Sequence, residues 1–326
     1  MDTTVRPPFP CSDEFTIVWG RAFFHADEVI GTHHLLRGMS HVDGISDALD
    51  AYDVTDGVLR ELVGAEAPET GSVNRLMAVG ATGTMTFSSA AAAALDRAQA
   101  GSSVTGGAER EPLDVLLAIL GDSQSRAVGV LADCGVDVAE LREALREGRV
   151  PARTERLHPD LHRTRDALIG RARYEPQGRG VMGRIRRFLM RLSSDNLAAD
   201  PVFWVRLEAD ELAREQGRRM SSDDVLLALL TTHQVARAYP HMARQAQPRY
   251  GGGQALLDAG LDHEKVREAM AVTELGRDAV PLPSSYGDWP QGTRSVLERL
   301  VCVENNRSGR LLSALGVSPT ELLRTA

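Results

Sequence analysis

The side chains able to carry chemistry are few, and their spacing works against it. Of 37 basic residues one alone is a lysine, Lys265, and it follows His263-Glu264 rather than a glycine-rich turn. The chain therefore holds no G-x-x-x-x-G-K-[ST] phosphate loop, and ATP hydrolysis of that kind is excluded. His263-Glu264-Lys265-Val266-Arg267 also misses the H-E-x-x-H pattern, because the last position is arginine; it reads as a solvated helix start. Cys11, Cys134 and Cys302 form no CxxC pair, and their odd number leaves one thiol over in any disulfide scheme. Reduced, structural cysteines are expected. His34 and His41 stand two helical turns apart, as do metal ligands on one helix face. No acid or cysteine lies three or four residues from either, so His25, His33, His34 and His41 read as capping and packing residues, with no metal expected. G-x-S-x-G is also absent, which leaves nucleophilic catalysis unsupported. The expectation is a protein that is not an enzyme and takes no cofactor.

Charge supplies the next constraint. The net charge is −8, yet residues 149–191 carry twelve arginines against Glu155, Asp160, Asp166 and Glu175, a local surplus of eight. A basic bridge thus joins two acidic halves. Within it Val181, Ile185, Phe188, Leu189 and Leu192 share one helical face, and Arg184, Arg187 and Arg191 line another. An amphipathic helix is predicted, docked on an acidic half or offered to an acidic partner, with a membrane surface and nucleic acid as further readings; of these two nucleic acid is the weaker, because the chain elsewhere is acidic. No stretch approaches the roughly 18 apolar residues of a membrane span, and the N-terminus lacks an apolar leader. A cytoplasmic protein without a transmembrane segment is expected.

The elements that must position these residues are helical. Apolar residues recur at helical spacing, as in Leu113, Leu116, Leu117 and Leu120, and strand-like alternation is missing. The fold class is all-α. Helix starts repeat along the chain, at Gly31-Thr32-His33-His34-Leu35-Leu36, Pro112-Leu113-Asp114-Val115-Leu116-Leu117 and Ser221-Ser222-Asp223-Asp224-Val225-Leu226. A second motif follows, a helix closing near residues 52–54, Gly135, Gly260 and Gly316. Four related units in two pairs are predicted. Ala90 to Ala94 suits a close helix–helix seam.

These residues resemble the N-terminal domain of the Clp chaperone ATPases, the ClpC type especially. Phe15-Thr16 and Phe87-Ser88 stand at its Phe-Thr element, and the three helix starts stand at its Gly-Thr-Glu-His-Leu-Leu element. The resemblance implies two tandem helical-repeat modules, residues 1–148 and 196–326, joined by an arginine-rich linker at 149–195. The distance from Phe15 to Thr32 is short, so the first helix of the first repeat is expected to be truncated or rebuilt. In the second module residues 231–253 read as an inserted loop ending in Gly251-Gly252-Gly253.

In that family the domain recruits clients and adaptors, and some members bind phosphorylated arginine through the glutamate of the helix start. Here that position holds His33, Leu113 and, in the third repeat, Asp223. A leucine accepts no hydrogen bond and a charged histidine repels a guanidinium, so phosphoarginine chemistry is not expected in the first module. The implied function is peptide or protein binding without ATPase activity, as an adaptor for, or decoy of, a Clp ATPase–protease. Clp ATPase, its clients or its adaptors are the expected partners, and sequestration of a cyclic-peptide antibiotic aimed at such domains is a further expectation. The candidate groove is Phe15, Thr16, His33, Phe87 and Ser88; Arg184, Arg187, Arg191 and Phe188 are the candidate partner contacts of the linker. The alternative function is a regulator that binds nucleic acid or an acidic partner through those arginines.

Overall fold

A computed structural model describes residues 6–26, 28–65, 69–77, 84–101, 103–104, 106, 108–153, 155–174 and 196–324. The chain divides into two units, residues 1–155 and 156–326. In the first, α1 (Asp13–His25) starts where Ser12 accepts a hydrogen bond from the Phe15 amide, with Asp13 and Glu14 in the first turn favouring the positive helix end. There follow α2 (Thr32–Met39), α3 (Ile45–Asp50), α4 (Asp56–Ala65), α5 (Ser89–Ala100), α6 (Pro112–Leu120), α7 (Arg126–Asp133) and α8 (Val138–Arg146). Ser88, Ser125 and Asp137 cap α5, α7 and α8 by side-chain hydrogen bonds.

Phe9, Phe15, Trp19 and Phe87 run through the core of this unit, with successive ring centroids 5.6, 6.0 and 4.8 Å apart. Ala91, Ala92 and Ala94 are fully buried, and α5 lies against α6, the close approach that small side chains permit. One expectation is corrected here. The first helix is not truncated: α1 has 13 residues and α5 has 12, and the shortening falls instead on the connection before α2. The all-α fold class holds, with one small sheet beside the helices: β1 (Arg6–Phe9) pairs parallel with β2 (Val73–Met77), which pairs antiparallel with β3 (Thr84–Phe87), in register Val73 with Phe87. Four- and five-residue strands are too short for alternation to register as a pattern, and Pro7-Pro8 is tolerated because β1 is an edge strand.

The second unit contains α9 (His162–Leu168), α10 (Pro201–Glu215), α11 (Ser222–Ala238), α12 (Pro240–Ala243), α13 (Gly251–Asp258), α14 (His263–Val272), α15 (Thr293–Val301), α16 (Arg307–Ala314) and α17 (Pro319–Arg324). Every residue of α11 from Ser222 to His233 is buried, as suits a helix that is apolar nearly all round. The inserted loop is not found: residues 231–238 continue α11, and Gly251-Gly252-Gly253 opens α13. The glycines serve packing rather than flexibility. A Cβ on Gly253 would lie 2.3 Å from the His233 Cβ, and one on Gly252 would lie 2.2 Å from the Thr293 carbonyl oxygen.

The division falls between Glu155 and Arg156 rather than at 148/149 and 195/196. Residues 156–174 belong to the second unit because their polar groups are satisfied there. Thr164 donates to Glu208 Oε1 at 2.8 Å, Tyr174 donates to Glu208 Oε2 at 2.6 Å, and the Trp204 indole donates to Tyr174 at 2.9 Å. All four residues are buried. The predicted amphipathic helix, with Arg184, Arg187, Phe188 and Arg191, lies outside the described residues.

Four helix ends share one hydrogen-bond pattern. Val54 donates to Leu49, Val136 to Leu131, Leu261 to Leu256 and Val317 to Leu312, each amide reaching back five residues at 3.0–3.1 Å. Gly135, Gly260 and Gly316 sit in the left-handed region before three of these donors, and Asp53, at φ 61°, takes that place in the first.

Candidate functional site

Two helix starts converge in the first unit. Thr32 opens α2 and Arg126 opens α7, and each helix end presents amide groups with no intrahelical acceptor. The Glu69 carboxylate lies between them. Oε2 accepts from the Thr32 amide at 3.0 Å and from the Ser88 hydroxyl; Oε1 accepts from the Thr32 hydroxyl at 2.5 Å and the Arg126 amide at 3.1 Å. The Ala127 amide donates in turn to Thr32 Oγ1 at 3.1 Å. Burial pushes the Glu69 carboxyl up, but the donors from Ser88, Thr32 and Arg126 outweigh it and hold the group below its ordinary value. Two positive helix ends form an anion site, and the chain fills it with its own carboxylate.

The second unit repeats the arrangement. Asp278 accepts from the Ser222 amide at 2.9 Å, the Ser222 hydroxyl at 2.6 Å and the Arg307 amide at 2.7 Å. The Ser308 amide donates to Ser222 Oγ at 2.9 Å. Thr32, Glu69, Arg126 and Ala127 thus correspond in pattern to Ser222, Asp278, Arg307 and Ser308. The residue after Ser222 is Asp223, the acid at the guanidinium-binding position of the resemblance. It is fully buried, and Arg307 already engages it through Nε at 2.7 Å and a second guanidinium nitrogen at 2.8 Å. Burial raises the Asp223 carboxyl, but the pairing with Arg307 wins and leaves it lowered. A cavity of about 320 Å³ adjoins this pair, with Leu212, Leu227 and Met270 among its walls.

The predicted groove residues do not form a groove. Phe15 and Phe87 are fully buried in the aromatic core, so they offer a peptide no surface. The physical reason is local: each stands where a helix begins to fold against the core, Phe15 receiving the Ser12 cap and Phe87 preceding the cap Ser88. Thr16 is half-buried and donates to the Ser12 carbonyl at 3.3 Å. Ser88 is buried and spends its hydroxyl on Glu69. His33 is 1% exposed and stacked on His34 with centroids 4.1 Å apart, and its Nδ1 has no hydrogen-bond partner among the described residues. Burial, with His34 next to it, pushes its pKa down to about 4, so it is neutral near pH 7.

The surface that sequence reasoning missed is the outer face of α1. Ile17, Phe23 and Phe24 are 61, 57 and 84% exposed. Ile17 and Phe24, seven residues apart, share one face with the exposed Gly20 and Arg21 between them. The signal was present as seven apolar or aromatic residues in Phe15–Phe24, more than one buried stripe uses.

Residues 86–180 match the family described as the Clp repeat (R) N-terminal domain, a protein-interaction domain of the Clp ATPases. The matched stretch takes in α5 to α9 and crosses the division at residue 155. No curated protein and no solved structure matches the chain. No helix among the described residues is long and apolar enough to cross a membrane.

Proposed function

We propose that this chain is a non-enzymatic binding module related to Clp N-terminal domains, acting as adaptor for, or decoy of, a Clp ATPase–protease. It engages its partner through the apolar face of α1 and not through phosphoarginine chemistry. The observation that carries this reading is the pairing of two features of one unit. The helix-start anion site is occupied by Glu69, and three large apolar side chains stand exposed on α1. Burying one such side chain against a partner contributes about 1.5–3 kcal/mol, enough for a small cluster to anchor an interface. The same face suits an aromatic-rich cyclic peptide, because the area it offers needs no charge partner.

The test is a titration of a purified ClpC-type ATPase over the immobilised chain, alongside Phe24→Asp. Saturable binding weakened roughly tenfold or more by Phe24→Asp is expected. Absence of binding, or binding indifferent to this substitution, would overturn the proposal. Adding the protease and a client then separates the two roles: an adaptor speeds degradation and a decoy slows it.

A further inference from the structure

We propose that His158, Asp160 and His263, all in the second unit, form a binding site for a divalent transition-metal ion of the zinc type. One ligand atom from each residue lies within 4.8 Å of the other two. His263 Nε2 and His158 Nδ1 are 3.3 Å apart. Two nitrogens bound at about 2.0–2.1 Å to a tetrahedral zinc stand about 3.3 Å from one another, so the imidazoles are already at ligating separation.

The surrounding groups dictate which nitrogens carry protons. His158 Nε2 is 2.9 Å from Glu264 Oε1, and an ionised carboxylate only accepts, so that nitrogen holds the hydrogen and Nδ1 bears a lone pair. His263 Nδ1 is 2.9 Å from Gln234 Oε1, which likewise accepts and leaves the lone pair on Nε2. Two lone pairs then face each other, an unfavourable contact that a cation between them relieves. The Asp160 amide approaches His158 Nδ1 at the long distance of 3.4 Å.

Outer contacts complete the arrangement. Metal-bound histidines commonly donate their second nitrogen to a carboxylate or an amide oxygen, the roles Glu264 and Gln234 fill here. Arg267 lies 3.4 Å from Asp160 Oδ2 and fixes the carboxylate, while its charge tempers affinity for a dication. His263 is 4% exposed and held at the start of α14, whose first turn Asp262 caps; His158 is exposed and Asp160 half-buried, so an ion enters from solvent. Two nitrogens and one oxygen leave a fourth position for water, a set suited to zinc. The bound ion would clip the turn at residues 158–161 to α14. Sequence spacing hides the set because 105 residues separate the two histidines.

Zinc sulfate titrated by calorimetry into chelator-treated full chain, in a Cys302→Ser background that removes the exposed thiol, tests this. One equivalent should bind with micromolar or tighter affinity, and cobalt in its place should give the visible absorption of a four-coordinate site. His158→Ala, an exposed position that leaves the core intact, should weaken zinc at least tenfold, and Glu264→Gln should weaken it in the same direction. Failure of the parent chain to bind zinc saturably, or unchanged affinity in the His158→Ala,Asp160→Ala double variant, would overturn the proposal.

Discussion

Replacing Glu69 by glutamine keeps the shape of the side chain and removes the charge on which two helix ends depend. In the native protein each carboxylate oxygen accepts two donors, from Thr32, Ser88 and Arg126. Glutamine has one oxygen, and its amide nitrogen would face donors. The hydroxyls of Thr32 and Ser88 can rotate away, but a backbone amide cannot, so at least one buried N–H loses its acceptor at a cost of about 1–3 kcal/mol. Losing a negative charge at two helix starts adds about 0.3–1 kcal/mol each. The terms share partners and are not additive, so about 3 kcal/mol is the working figure, a large part of a typical domain stability of about 5–15 kcal/mol. Hydrogen exchange read by mass spectrometry resolves one unit from the other. Amides at 32–36 and 126–130 should exchange on the order of 100-fold faster in Glu69→Gln, and those at 222–226 should be unchanged. The difference should depend on pH. The folded carboxyl lies below its ordinary value of 4.5, so its stabilisation is fully present above that value. It fades as pH falls through the lowered folded value, because the unfolded chain binds the proton first. A change of less than threefold near pH 7 would refute the assignment of Glu69 as the clasp of both helices.

Other consequences are open to measurement. Gly253→Ala should destabilise the second unit by about 2–4 kcal/mol in denaturant unfolding, because its Cβ meets the His233 Cβ and the Leu229 carbonyl with no space to yield; a cost below 1 kcal/mol would mean that α11 and α13 separate easily. Gly135→Ala should cost about 1–2 kcal/mol for its left-handed backbone, and Asp53→Gly, at the equivalent helix end, should be neutral or stabilising. Burial raises the Glu208 carboxyl despite its donors Tyr174 and Thr164, so the stabilisation from its protonated form is present below the ordinary carboxylate value and is lost as pH rises through the folded one. Glu208→Gln should therefore flatten the decline in second-unit stability over that window; an unchanged pH profile would contradict it.

The helix starts and ends were legible in the sequence because they rest on local chemistry. Thr32, Pro112 and Ser222 open helices where the sequence places them, and Gly135, Gly260 and Gly316 close helices as expected. Glu69 and Asp278 were not legible. Each lies in a connection without periodicity and acts on helix starts distant in the chain, Asp278 on Ser222 across 56 residues. The misplacement of Phe15 and Phe87 has a related cause. Spacing assigns residues to a common face, but which face meets the core is settled by the packing of α1 against α2 and of α5 against α6. Burial thus took the aromatics assigned to a groove, while Ile17, Phe23 and Phe24 were left outside.

That the chain's own carboxylates close its anion sites, leaving recognition to an apolar surface, is tested most directly by titrating free phosphoarginine into the intact protein. Asp223 is engaged by Arg307, Thr32 and Ser222 by Glu69 and Asp278, and the equivalent positions in the first unit are His33 and Leu113. Displacing a charged, hydrogen-bonded partner costs about 1.5–3 kcal/mol before any new contact is made. The expected result is heat indistinguishable from dilution up to about 1 mM, a free energy weaker than about −4 kcal/mol. Saturable binding in the micromolar range, lost on Thr32→Val or Ser222→Ala, would contradict the account.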